Sequence, residues 1–439
     1  MNGWTQVSTA TRLLEAAAVK DAKIEVSGVL SGMPMVRLAP GVHLRGGTLR
    51  FAAKGLQLTR DNVLENTRVE TPEHELAIHN GLSEPTIGAL VLNDVETVGQ
   101  VCLLADGAVR GGRVDVDGLR VERADVRQRA ERPGGYGVKV MQGAFTLWNR
   151  QPDGECAIKA TLLGIGAGSP EAPVRGSGVF VAGYGDVGGR VEVDVLRTEE
   201  IHTDGGITAG TPDLISGAVF VVSGACVGEV VNAGSVTTYG ANDMVLDNWG
   251  LVGRWIALER VTSHGPSAIG FVNFGAIDDV NITAAIETHG PGARGFNLYD
   301  GSLRHASFES IRTNGDGAVG IQVAKDLPRL EITGDLVTAG GEGASLVKGV
   351  QTRLKAIALS IQQGGHVGNV AIGGRMATLG DGVVTLDADG ILDELRVEGG
   401  IAALGKGSTP VRTEHKIRGL EAIRIETAAS ESPDRTTEL

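Results

Sequence analysis

The apolar positions in the C-terminal half recur in one short phrase: aliphatic, any residue, Thr or Ser, any residue, Gly. Val236, Val261, Ile286, Ile311 and Leu336 open VTTYG, VTSHG, IETHG, IRTNG and LVTAG at a spacing of 25 residues. MATLG opens at Met376 and IAALG at Ile401, again 25 residues apart, and IHTDG opens at Ile201 with extra residues before the next copy. A fixed period this short is one coil of a solenoid, in which residues at equal repeat positions stack in columns. In a strand, the opening aliphatic and the Thr or Ser two places later face the same way. Thr203, Thr238, Ser263, Thr288, Thr313 and Thr338 are therefore expected inside, as a column of hydroxyls bonded from coil to coil. A second strand follows about ten residues into each coil, in VLDNWG, GFVNFG, GFNLYD and GIQVAK. There Leu246, Phe271, Phe296 and Ile321 should point inward.

The N-terminal half carries a weaker version: VET at Val69 returns 26 residues later at Val95, and VER follows another 26 on at Val121. Short aliphatic strands separated by glycine turns, with no helical period between them, indicate an all-β coil. Twenty-five residues exceed three six-residue sides, and the chain lacks both the GGxGxD signature of calcium-binding rolls and the leucine-rich consensus. The expected fold is all-β, a right-handed parallel β-helix solenoid of about 25 residues per coil with an N-terminal helical cap. The boundaries read as a capping segment over 1–22, the β-helix over 23–425 and a polar tail over 426–439. Within the first segment, 8–18 (STATRLLEAAA) reads as a helix capped by Ser8 or Thr9, with Leu13, Leu14 and Ala17 on its apolar face. Such an end needs covering, because a solenoid exposes strand edges there. The rhythm breaks at 126–155, at 206–216 and after Leu336; insertions on solenoids gather on one face and often build a binding site.

Composition changes this picture little. The 66 glycines fall at repeat turns, so they do not mark a disordered linker. A net charge of -13 argues against nucleic acid and anionic membranes as partners. Cys102, Cys156 and Cys226 are odd in number and widely spaced, which suggests neither a disulfide framework nor a zinc knuckle. Cys226, in VFVVSGACVGEVV, is expected in the core. The N-terminus has no basic start followed by an apolar run, so the default location is cytoplasmic, or secreted if the chain is a mature form.

The outward columns hold the candidate chemistry. One runs Asp204, Tyr239, His264, His289, Asn314, beside His202, Thr237, Thr262, Glu287, Arg312. Another runs Asp247, Val272, Asn297, Gln322, and beside it Trp249, Phe274, Tyr299, Ala324. A ladder of exposed aromatics next to carboxylate and amide groups suits a sugar ring, which offers an apolar face and hydroxyl edges. His264, His289 and Glu287 lie together as in a two-histidine, one-carboxylate set, but a repeat collects surface residues without needing a metal; no metal or cofactor is expected.

These coils resemble the right-handed parallel β-helix proteins of the pectin-lyase-like superfamily in period and turn pattern over most of the chain. The middle is similar to polygalacturonase-type glycoside hydrolases, whose motifs run Asn-Thr-Asp, Asp-Asp, Gly-His-Gly and Arg-Ile-Lys. Here the corresponding stretches are HTDG (202–205), NDMVLD (242–247), SHGPSAIG (263–270) and ARGFN (293–297). The resemblance implies Asp204 and Asp243 as carboxylates, His264 as an assisting residue and Arg294 as a substrate-binding residue. The chain departs from the pattern: His202 stands for the first Asn, Asn242 for one Asp, and no Lys follows Arg294. Inverting hydrolysis needs one carboxyl to protonate the leaving oxygen and another to activate water. The leading expectation is a carbohydrate-active enzyme acting on a neutral or weakly charged saccharide. Asp204, Asp243 and Asp247 would supply acid and base, with His264 assisting. Trp249, Phe274 and Tyr299 would form the sugar platform, and Tyr239, His289, Arg294 and Asn297 would bind. The competing expectation is a non-catalytic β-helix scaffold or binding protein, assembled as a homotrimer.

Overall fold

The computed structural model describes residues 3–347 and 349–428. The chain winds as an all-β parallel solenoid. A typical coil contributes three strands, such as Val261–Ser263, Ile269–Asn273 and Ala276–Ile282. Each stacks in parallel on its counterpart in the next coil, giving three ladders. The first ladder follows the repeated phrase, pairing Ile201, Val236, Val261, Ile286, Ile311, Leu336, Met376 and Ile401 in sequence. Ile425–Thr427 adds a further rung. The polar tail expected over 426–439 thus begins inside a strand, and from 429 onward it lies outside the described residues.

Between residues 63 and 204 the first and third ladders merge. The strand Arg190–Asp204 pairs with both Ala225–Asn232 and Val236–Thr238, so one continuous strand becomes two where the coil gains a corner. The register there corrects the expected repeat. Val69 pairs with Thr97, and Thr97 with Val121, so the VET phrases at Val69 and Val95 are two residues out of step. A slip of two keeps every side chain on its original face, which is why the pattern looked periodic.

The interior is one continuous apolar cluster. Leu246, Phe271, Phe296 and Ile321 are register mates and fully buried, as expected. Glycine closes each phrase for a steric reason. A Cβ on Gly265, Gly290, Gly315, Gly340, Gly380 or Gly405 would sit 1.7–2.1 Å from the carbonyl oxygen of the equivalent glycine one coil earlier. The coils approach too closely at this corner for any side chain.

The hydroxyl column is also inside, but the expected bonds between coils do not form. The hydroxyls of Thr203, Thr238, Ser263 and Thr288 are buried without a partner. Thr313 and Thr338 reach carbonyls of their own coil instead, Ala318 at 3.4 Å and Ala356 at 3.3 Å. Stacked strands lie about 4.8 Å apart, whereas two hydroxyls must approach to about 2.8 Å. Longer amides span the gap: Asn248 Nδ2 donates to Asn273 Oδ1 at 2.8 Å, and Asn232 Nδ2 to Thr198 Oγ1 at 2.9 Å.

Near the N-terminus a helix spans Ala10–Ala17, with the Thr9 hydroxyl accepting from the Arg12 N–H. Leu13 and Ala17 are buried, but Leu14, expected on the apolar face, is 40% exposed. A strand Thr5–Val7 precedes the helix and pairs with Lys23–Val26. Cys226 is half-buried rather than in the core, because Ala225 and Val227 take the inward positions on either side. Among the described residues no helix is long and apolar enough to cross a membrane.

Candidate functional site

Outside the second ladder lies a second apolar cluster, which includes Phe180, Phe220, Met244, Trp249, Ile269 and Val272. A regular coil would leave such a face in water, and here three insertions cover it. The first forms a turn in which Gly134–Gly135 pairs antiparallel with Val138–Val140; the latter strand runs alongside Leu214 and Ile215. The second is the loop carrying Pro212. The third, in the long coil opened at Leu336, is an antiparallel hairpin of Glu342–Val347 and Val350–Lys355. This hairpin is anchored by Leu346 N–H to Ser267 Oγ at 3.2 Å and by Ser345 Oγ to the Gly292 carbonyl at 3.0 Å.

Between ladder and covers is a cavity of about 650 Å³. Its aromatic wall is Trp249, Phe274 and Tyr299, one ring per coil, with Tyr136 lying across them. Phe274 stacks on Tyr299 at 5.0 Å, while Trp249 meets Phe274 edge-on at 6.0 Å. Tyr136 packs 4.5 Å from Phe274 and 5.2 Å edge-on from Trp249, and its hydroxyl donates to the Phe274 carbonyl at 3.2 Å. This corrects the expected ladder of exposed aromatics. Trp249 is only 4% exposed, because the insertion folds over it.

Charged groups divide along the solenoid axis. Asp247 lines the end nearest Trp249 and is fully buried, and neither of its carboxylate oxygens has a hydrogen-bond partner. Burial holds its carboxyl well above the ordinary 3.8; the Trp249 indole tempers the shift, although its N–H closes no hydrogen bond. Arg294 lies two register steps away, in the column of Met244 and Ile269. It is 3% exposed, and burial lowers its pKa. Its guanidinium donates to Gln322 Oε1 at 3.1 Å, Gly292 O at 3.4 Å and Ser345 Oγ at 3.4 Å, all neutral acceptors. Farther along, Lys325 pairs with Asp300 at 2.8 Å, and both line the cavity. Burial raises the phenol of Tyr136, with Asp300, Asp186 and Asp247 adding to the shift, and burial also raises that of Tyr299.

The remaining expected site residues lie elsewhere. Asn297 shares the Asp247 column and is buried, with neither amide atom bonded. Asp204 and Asp243 are neighbours, but both are engaged. Asp204 is held by Arg175 and by the Gly206 N–H at 2.8 Å. Asp243 is fully buried and accepts from the Ser216 hydroxyl, from Gly240 N–H at 2.8 Å and from Gly205 N–H at 3.3 Å. Burial raises its pKa to about 7, against the pull of those donors.

Tyr239, His264 and His289 stand on another part of the surface, at the end of the first ladder. Their rings stack at 5.3 and 5.0 Å, both pairs within 9° of parallel. His264 is exposed; partial burial and the neighbouring His289 lower its pKa. None of the three lines the cavity. Sequence reasoning located the wall, Asp247 and Arg294, and missed Tyr136, Val138, Ile215 and Leu346. The only signal for those four was the break in rhythm that marked each insertion. No known family model matches the chain, and neither a characterised protein nor a solved structure is significantly similar to it.

Proposed function

We propose that the chain is a carbohydrate-active protein of the pectin-lyase-like kind, wound right-handed, that binds a saccharide in the roofed cavity. The observation that carries this reading is the row Trp249, Phe274 and Tyr299 facing a partly covered cavity beside the unpartnered carboxyl of Asp247. The apolar rims of these rings suit the apolar face of a sugar ring, and a few convergent polar groups fix its hydroxyl edges. Arg294 supplies further donors at the other end. Asp204 and Asp243, occupied by Arg175, Ser216 and backbone N–H groups, hold the corner between coils.

A second reading, hydrolysis in the same cavity, is favoured by the state of Asp247. Burial favours the protonated form of Asp247, in which a carboxyl can act as a general acid, and Asp300 is a second lining carboxylate. Both readings are tested on a glycan array followed by a cleavage assay on whatever binds. Saccharide binding is expected from the native chain and should be weakened in Tyr136→Ala and Phe274→Ala. Undiminished binding in both variants would remove the saccharide from the cavity. Cleavage that survives Asp247→Asn would remove Asp247 as the general acid, and no cleavage by the native chain would end the hydrolytic reading.

A further inference from the structure

The Asp247 end of the cavity asks for a particular partner. A carboxyl side chain with no solvent exposure and no hydrogen bond on either oxygen is costly to keep, whether it is neutral or charged. The cavity's cations do not serve it: Arg294 donates to Gln322, Gly292 and Ser345, and Lys325 pairs with Asp300. Around this end stand the rings of Trp249, Phe274 and Tyr136, with Tyr136 inclined 31° to Phe274 and both Tyr136 and Phe274 set edgewise to Trp249. Aromatic rings at different inclinations beside one unpaired carboxylate make an environment for an organic cation, whose apolar flanks pack on the rings while the carboxylate neutralises its charge. The Trp249 indole N–H, also unpartnered, would turn to the same carboxylate or to a ligand oxygen.

We propose that the cavity recognises a ligand bearing a protonated or quaternary amine, seated against Asp247 and enclosed by Tyr136, Trp249 and Phe274. The proposal rests on the saccharide reading to the extent that the amine is carried by an amino sugar; a free organic cation has the same chemistry. An ammonium group seated there displaces the proton that burial favours on Asp247, which passes to solvent as the ion pair forms. Asp247 is then a binding group, and the hydrolytic reading, which needs its proton, falls.

Calorimetry on the full chain tests this with three probes: a β-linked glucosamine oligosaccharide, its N-acetylated counterpart and choline chloride. Titrations in two buffers of different ionisation enthalpy count the protons released. The glucosamine oligosaccharide should bind at least about thirtyfold more tightly than the acetylated form, with proton release. Asp247→Asn should erase the preference, and Tyr136→Ala should weaken binding about tenfold. Equal affinity for the two oligosaccharides would overturn the amine while leaving the saccharide standing. Asp247-dependent binding of choline alone would keep the amine and remove the amino sugar as its carrier. Binding of none of the three would overturn the amine proposal and leave the saccharide reading to the glycan array. Asp247→Asn preserves shape and removes a buried ionisable group, and Tyr136 sits on an insertion outside the ladders, so both variants are expected to fold; circular dichroism checks this.

Discussion

The Tyr239–His264–His289 stack and the Trp249–Phe274–Tyr299 row are products of the same 25-residue period, but they differ in what covers them. In the first, rings lie parallel within 9° and face water, with His264 and His289 exposed. In the second, an antiparallel turn and hairpin close over the rings and the space between becomes a cavity. Stacking side chains in a column costs a solenoid nothing beyond its repeat, so such a column by itself carries little functional meaning. Enclosure is different. It takes non-repeating sequence, and it strengthens every polar interaction it shields from water.

Removing the cover should therefore have the largest effect. Replacing residues 342–355 with a short Gly-Ser link should weaken ligand binding more than about hundredfold, since it opens the cavity and takes Ser345 from Arg294. The ladders should keep their far-ultraviolet circular dichroism. Binding that persists would show that the row works as an open surface, like the histidine stack.

A smaller effect should appear in stability against pH. Burial raises the carboxyls of Asp247 and Asp243 above 3.8, Asp243 to about 7. As pH rises past about 4, the unfolded chain gives up these protons while the folded chain keeps them. Their stabilising contribution is complete below that point and is lost as pH climbs through the folded values. Urea unfolding should show stability falling across this interval, and Asp247→Asn should make the fall shallower. An unchanged slope would mean that Asp247 is not shielded. The smallest effect belongs to the open column: His264→Ala should change stability by no more than about 0.5 kcal/mol and leave binding untouched. Loss of ligand binding in that variant would overturn the contrast between the two columns.

Much of the fold was legible because a steric and a hydrophobic rule repeat together. Leu246, Phe271, Phe296 and Ile321 fall where the period puts them. Polar contacts inside the coil were less legible. Thr238 and Thr288 were placed on the correct side, but their hydroxyls are too short to meet across stacked strands, and the longer Asn248 and Asn273 make the bond. In the N-terminal half, two similar VET phrases misled by two residues because a shift of that size leaves facing unchanged.

The sequence alone determined the repeat, the parallel coil, the glycine corner and the columns to which Asp247, Arg294 and the aromatic row belong, because period and side-chain alternation are local properties. Only the tertiary structure decided which column is covered. Tyr136 reaches Phe274 across 138 residues of chain, and Ser345 reaches Arg294 across 51. No local pattern encodes such approaches; they come from where the insertions land once the coils have stacked. The cavity, the buried Asp247 and the engagement of Asp204 and Asp243 all follow from that packing.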